Sequence, residues 1–198
     1  YPVDINQYLN HGDIHGDLYS VGECDVSIRS GWFYGDGSGL KPVSQLLDIY
    51  FNSVGKGAPL LLNIPPNKEG KFSEDYVARL YEFSDVMNKI HDYGLMKHKL
   101  DTNFPPSILA PDNDKSLDIA LNQSLEITFD KEIECDVFNV QEDIRYGQSI
   151  KEFVLEAFVN NKWKIVAQGN TVGYRRLLRF PKVQTYKIRF TFLDALEH

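Results

Sequence analysis

Apolar positions change their spacing once along this chain, near its middle. Upstream, Leu46, Leu47, Tyr50 and Val54 recur at helical intervals behind Pro42 and Ser44, predicting a core-packing helix that Gly55 ends. Pro59-Leu60-Leu61-Leu62-Asn63-Ile64 is a short apolar run closed by Pro65 and Pro66, as expected of a strand buried on both faces of a parallel sheet. Ser73 predicts the cap of a second helix. Glu74 and Asp75 occupy its first turn, where the helix dipole favours carboxylates, and Tyr76 or Val77, Leu80, Phe83, Met87 and Ile90 form its buried stripe. Before these, Val26 and Ile28 alternate with Asp25, Ser27 and Arg29, a short strand with Glu23 near its start and a turn at Gly31. Strands and helices in this order follow the grammar of a (β/α) barrel, of which the pattern predicts only the last portion.

From about Tyr93 to Pro111 the periodicity dissolves into Lys97, His98, Lys99, Pro105-Pro106 and Pro111, a linker composition. Beyond it the period becomes two: Leu117, Ile119 and Leu121; Leu125, Ile127 and Phe129; Phe153, Leu155 and Ala157; Ile188, Phe190 and Phe192. Asn122-Gln123, Tyr146-Gly147-Gln148 and Asn160-Asn161 supply the turns. This predicts an antiparallel β-sandwich of the jelly-roll, galactose-binding-like kind. The expected fold class is α/β plus all-β: part of a (β/α)8-type barrel over 1–98, a linker over 99–111 and the sandwich over 112–195. Residues 1–20 read as a short helix or irregular lead-in and a polar turn, and residues 196–198 as the start of an expression tag.

At 198 residues with 42% hydrophobic and 13% aromatic content, the chain is globular rather than disordered. Its net charge of −7 excludes nucleic acid and anionic membrane as expected partners, since both need clustered Lys and Arg. No apolar stretch is long enough for a transmembrane helix, so no membrane insertion is expected. Cys24 and Cys135 are too few for a metal site; a bridge between them is open, but two buried thiols are the expectation. His11, Asp13, His15 and Asp17 are interleaved with glycines in a loop with no further ligand cluster behind it, so no metal centre and no cofactor are expected.

The densest chemistry lies between Gly22 and Tyr34. Glu23, Asp25, Arg29, Trp32 and Tyr34 combine two carboxylates, a guanidinium, an indole and a phenol within this glycine-flanked stretch. Aromatic faces stack on the apolar side of a pyranose while carboxylate and Arg read its hydroxyls, a mixture suited to carbohydrate. A plain alternative remains open at this level: Arg29 paired with Asp25 beside a core Trp. Alternation puts Glu23 and Asp25 on one strand face, so spacing does not separate their roles.

The run Glu23-Cys24-Asp25-Val26-Ser27-Ile28-Arg29-Ser30-Gly31-Trp32-Phe33-Tyr34 is followed by Leu46-Leu47-Asp48-Ile49-Tyr50, Asn52-Ser53-Val54-Gly55 and Leu60-Leu61-Leu62-Asn63-Ile64-Pro65-Pro66. This series resembles the retaining α-L-fucosidases of glycoside hydrolase family 29, most of all the branch that cuts α-1,3/1,4-linked fucose. Gly169-Asn170-Thr171-Val172-Gly173-Tyr174-Arg175-Arg176-Leu177-Leu178-Arg179-Phe180-Pro181 is similar to that family's C-terminal sandwich. The resemblance implies a fucosylated oligosaccharide or glycoconjugate as substrate and an extracellular or cell-surface location. It implies Glu23 as general acid/base, kept protonated by partial burial against Trp32 and by the nucleophile's charge, with Asp25, Arg29, Trp32 and Tyr34 binding substrate. It also implies an Asp nucleophile on an earlier strand, absent here together with the N-terminal part of the barrel, so that the fragment alone is expected to be inactive. A His is expected after Trp-Phe-Tyr, and Gly35 stands there instead.

Two rival readings stay open. One is a non-catalytic carbohydrate-binding or adhesion module centred on the sandwich, for which Trp163, Tyr174, Arg175, Arg176 and Arg179 are candidate sugar contacts, against an ordinary packing role for Trp163. The other is a different retaining glycosidase using the same site. The second Glu-Cys-Asp triplet, Glu134 to Asp136, lacks the Arg, Gly and Trp context of the first and is read as coincidence.

Overall fold

A parallel pair of strands needs a crossover between them, and the spacing of apolar residues after Lys41 supplies one. In the computed structural model, which describes residues 20–35, 39–92, 98–110 and 115–196, β1 (Cys24–Ser27) pairs in parallel with β2 (Leu60–Asn63), Cys24 opposite Leu60 and Ser27 opposite Asn63. Helix α1 (Val43–Asn52) lies between them in sequence, and α2 (Glu74–His91) follows β2. The expected lead-in over residues 1–19, the His11–Asp17 turn and residues 36–38 lie outside the described residues.

Helix α1 buries Leu46, Tyr50 and Phe51. It stops earlier than its spacing predicts, giving way to a 3₁₀ turn over Val54–Lys56 that Gly57 ends in the left-handed region at φ 81°. Gly57 is therefore the chain's stop, and Gly55 is buried inside the turn. On α2, Tyr76 is buried and Val77 exposed, which resolves that ambiguity of the stripe. Ser73 holds the extended cap position, but its side chain makes no capping bond. The two helices are tied by the Tyr50 hydroxyl, 2.7 Å from the His91 ring nitrogen Nε2, and by Tyr50 packing edge-on to Phe83. Leu61 is exposed, so the β2 run is not buried on both faces; among the described residues its sheet has two strands, too narrow for that.

The second unit is built around a five-stranded antiparallel sheet in the order β3-β4-β7-β5-β6, with β4 Ser124–Val140, β5 Ile150–Val159, β6 Lys162–Gly169 and β7 Arg176–Ala195. The edge strand β3 (Leu100–Thr102) falls inside the segment read as a linker. Phe104 follows it into the core, so this Pro-rich stretch is a built part of the second unit. Leu117, Ile119 and Leu121 form no strand, although Leu117 packs against the core.

Bulges between Thr128 and Ile133 and between Cys135 and Val137 break the β4–β7 ladder. Phe138 pairs in register with Leu178, yet its ring stacks on Phe190 at 5.8 Å. Phe190 is twelve residues further along β7, roughly 40 Å away if the strand were straight. The two long strands therefore bend back over themselves, and one sheet supplies both layers of a sandwich. Phe153, Leu155, Ile188 and Phe190 fill the space between the layers. Asn160 and Asn161, at φ 52° and 60°, make the two-residue hairpin from β5 to β6. At the far end of that hairpin only glycine fits position 169, because a Cβ there would lie 2.6 Å from the Phe153 ring.

Candidate functional site

The loop after β1 is fixed by side chains from three other segments. Leu40 forms a backbone bridge to Arg29, and Lys41 donates its backbone N–H to the Ile28 carbonyl at 2.9 Å. The Lys41 ammonium donates to the carbonyl oxygens of Ser27, at 2.7 Å, and Arg29. Asn63, the last residue of β2, donates from Nδ2 to the Trp32 carbonyl at 2.9 Å and to the Ser27 hydroxyl at 3.3 Å. From α2, the Tyr76 hydroxyl accepts from Arg29 Nη1 at 2.7 Å. Sequence reasoning missed Lys41, Asn63 and Tyr76. Asn63 carried a signal, a polar residue in an otherwise apolar strand.

This framework presents aromatic groups to solvent. Trp32 is 49%, Phe33 73% and Tyr34 46% exposed. Arg29 and Tyr34 line a cleft of about 240 Å³ with Leu40, Ser73, Asp75 and Tyr76. The structure thus brings together two of the expected substrate contacts, Arg29 and Tyr34, with Trp32 on the same loop. The plain alternative, Arg29 beside a core Trp, is not what forms, because the indole is half exposed.

The expected neighbourhood of Glu23 is different. Glu23 immediately precedes β1 and is exposed, as is Asp25, whereas Trp32 follows the other end of the strand and is held there by Asn63. Four strand residues, roughly 13 Å, separate the two ends. The partial burial of Glu23 against Trp32 is therefore absent. Glu23 and Asp25 are both exposed, but alternation carries no information about distance along the strand.

In the sandwich, the Arg189 guanidinium lies 4.3 Å over the Trp163 ring and is ion-paired with Glu156. Phe158 meets the same indole edge-on at 5.3 Å. Trp163 is half-buried on the sheet rather than in the core, and one of its faces is covered. Arg176 is buried, donating to the Thr171 carbonyl and hydroxyl. Burial pulls its guanidinium down to about 10, still charged at neutral pH. Tyr174 and Arg179 are exposed, and the Arg175 guanidinium lies 5.9 Å from the Tyr174 ring centre. Cys24 and Cys135 are free thiols, each half-buried.

Comparison with known proteins bears on these features. A family model, Alpha-L-fucosidase, matches residues 10–92. The chain is 38% identical over 192 residues to Alpha-L-fucosidase 1 of Arabidopsis thaliana, covering 89% of this chain and 38% of that protein. The crystal structure of SpGH29 superposes with a TM-score of 0.82 at 38% identity, covering 96% of this chain and 44% of that one. A GH29 fucosidase of Ruminococcus gnavus in complex with fucose gives a TM-score of 0.79 at 28% identity, over 93% of this chain and 40% of that one. The chain thus spans 38–44% of the length of these relatives.

Proposed function

This chain belongs to the α-L-fucosidases of glycoside hydrolase family 29, and we propose that it is the C-terminal portion of an enzyme removing terminal α-1,3/1,4-linked L-fucose from fucosylated oligosaccharides or glycoconjugates. The observation that carries this reading is the Arg29–Tyr34 loop, braced from β2 and α2 and offering indole, phenol and guanidinium at the edge where β1 and β2 both end. Substrate-binding loops of (β/α) barrels stand at that edge. The proposed reaction is a retaining double displacement, which needs two carboxyl groups about 5–5.5 Å apart. The Asp nucleophile is proposed to come from a strand outside this chain, so these residues alone are inactive.

For the proton donor, family likeness gives the role to Glu23. A second reading is favoured by strand direction: Glu23 stands at the N-terminal end of β1, where barrel residues serve stability, and the donor then comes from elsewhere in the barrel. Glu23→Gln in the full-length enzyme separates the two. The rival of a sugar-binding module centred on Trp163 has less support, because Arg189 covers one face of the indole.

The test is α-linked chromogenic fucoside given to the full-length protein, with the first-formed sugar observed by NMR. Fucose released first as its α-anomer is expected. No release, or the β-anomer first, overturns the proposal.

A further inference from the structure

We propose that Asn63 is a positioning residue for Trp32: its side-chain amide sets where the indole stands, and through the indole it governs how tightly the fucosyl ring is held. The inference rests on the fucosidase reading and adds to it a residue that acts from the neighbouring strand.

The sequence creates the need for such a residue. At the end of the β1–β2 ladder, Ile28 donates its N–H to the Asn63 carbonyl at 2.9 Å. In a parallel ladder the next donor from β2 is two residues on, and there stands Pro65, which has no N–H, with Pro66 behind it. The Ile28 carbonyl accepts instead from Lys41 N, at 2.9 Å. Past Ile28 the loop therefore runs beside a chain whose prolines cannot hold it. Asn63 supplies the missing donor from its side chain: Nδ2 donates to the Trp32 carbonyl at 2.9 Å and to the Ser27 hydroxyl at 3.3 Å.

A carbonyl only accepts, so the end of the Asn63 amide that faces Trp32 is the NH2, and chemistry fixes which way the amide points. Ser27 is only 5% exposed, which makes the second contact a rigid brace for that orientation.

Trp32 has little else to fix it. Its indole is 49% exposed and meets no other ring among the described residues, and the bond from Asn63 is the one hydrogen bond recorded for Trp32 among them. An aromatic face that depends on one tether is displaced when the tether goes, and a small displacement is enough to weaken stacking. Stacking on the indole acts on the bound substrate and the transition state alike, so its loss appears in KM.

The experiment is a double-mutant cycle on the full-length enzyme, read with a chromogenic α-L-fucoside. Asn63→Leu keeps roughly the volume of the side chain and removes the donor; Asn63→Ala removes both. Asn63 is half-buried, so the leucine variant fills the same space and keeps the fold. Each variant is expected to lower kcat/KM about threefold to tenfold, through KM with kcat little changed. In a Trp32→Ala background the same substitutions are expected to change it by about twofold or less, because the group they position is gone. A residue with a merely structural role lowers the amount of active enzyme, and hence kcat, equally with and without the indole. Wild-type KM in Asn63→Leu, or the same fold-loss in both backgrounds, overturns the positioning role while leaving the fucosidase reading standing. A wild-type protein that releases no fucose overturns the fucosidase reading, and the positioning role with it.

Discussion

Arg29 and Tyr76 are forty-seven residues apart in sequence, and their side chains meet at 2.7 Å. That hydrogen bond ties the first turn of α2 to the loop that leaves β1. Hydrogen bonds from charged groups contribute about 1.5–3 kcal/mol. Tyr76→Phe removes the acceptor and keeps the buried ring, so a loss of stability in about that range is expected on urea unfolding. A variant as stable as wild type shows that the loop is held without α2.

In the sandwich, Glu142 gathers two segments that are far apart in sequence. Its Oε1 accepts from Ser149 N at 2.6 Å, Ser149 Oγ at 2.7 Å and Ile150 N at 3.0 Å, while Oε2 accepts from Gly173 N at 3.1 Å. Glu142→Gln forces an amide N–H against one of these donors. The expected cost is about 1–3 kcal/mol. Faster hydrogen exchange at Ser149, Ile150 or Gly173 locates it.

Cys135 gives the fold an alkaline limit. Burial, with smaller contributions from Asp136 and Glu134, pushes its thiol up from 9.0 to about 11. The folded state holds this proton more tightly than the unfolded chain. The associated stability is fully present below pH 9 and is lost as pH rises from 9 through about 11. Cys135→Ala should flatten that part of the stability profile, and the wild-type thiol should react slowly with a disulfide reagent at pH 8 until the protein is unfolded.

Local pattern located both helices and three of the four period-two runs, because the three- and four-residue spacing on α2 and the alternation at Phe153, Leu155 and Ala157 follow directly from backbone geometry; Leu117, Ile119 and Leu121 form no strand, and of the α2 stripe only Tyr76 is buried. What pattern did not reveal depends on contacts remote in sequence. The Phe138–Phe190 stack requires β4 and β7 to fold over, and their bulges have no signature in hydropathy. β3 was hidden by the neighbouring prolines, although its three residues pair with β4 like any edge strand.

The candidate site divides in the same way. Arg29, Trp32 and Tyr34 stood out as aromatic and charged residues beside a glycine turn. Tyr76, Asn63 and Lys41 did not, since each reaches the loop from elsewhere in the chain. The expected burial of Glu23 against Trp32 does not form, because Glu23 is exposed just before β1 while Trp32 follows the strand's other end.

The loop after β1 is proposed to hold the fucosyl ring of the substrate. Fucose release from a chromogenic α-L-fucoside, measured as kcat/KM for the full-length protein and its Trp32→Ala variant, tests it most directly. Trp32 is half exposed, so the variant should fold. Turnover by the wild type and a loss of about tenfold or more in the variant are expected, since stacking on an aromatic face is worth about 1 kcal/mol or more. Equal rates for the two proteins, or no turnover by either, would contradict it.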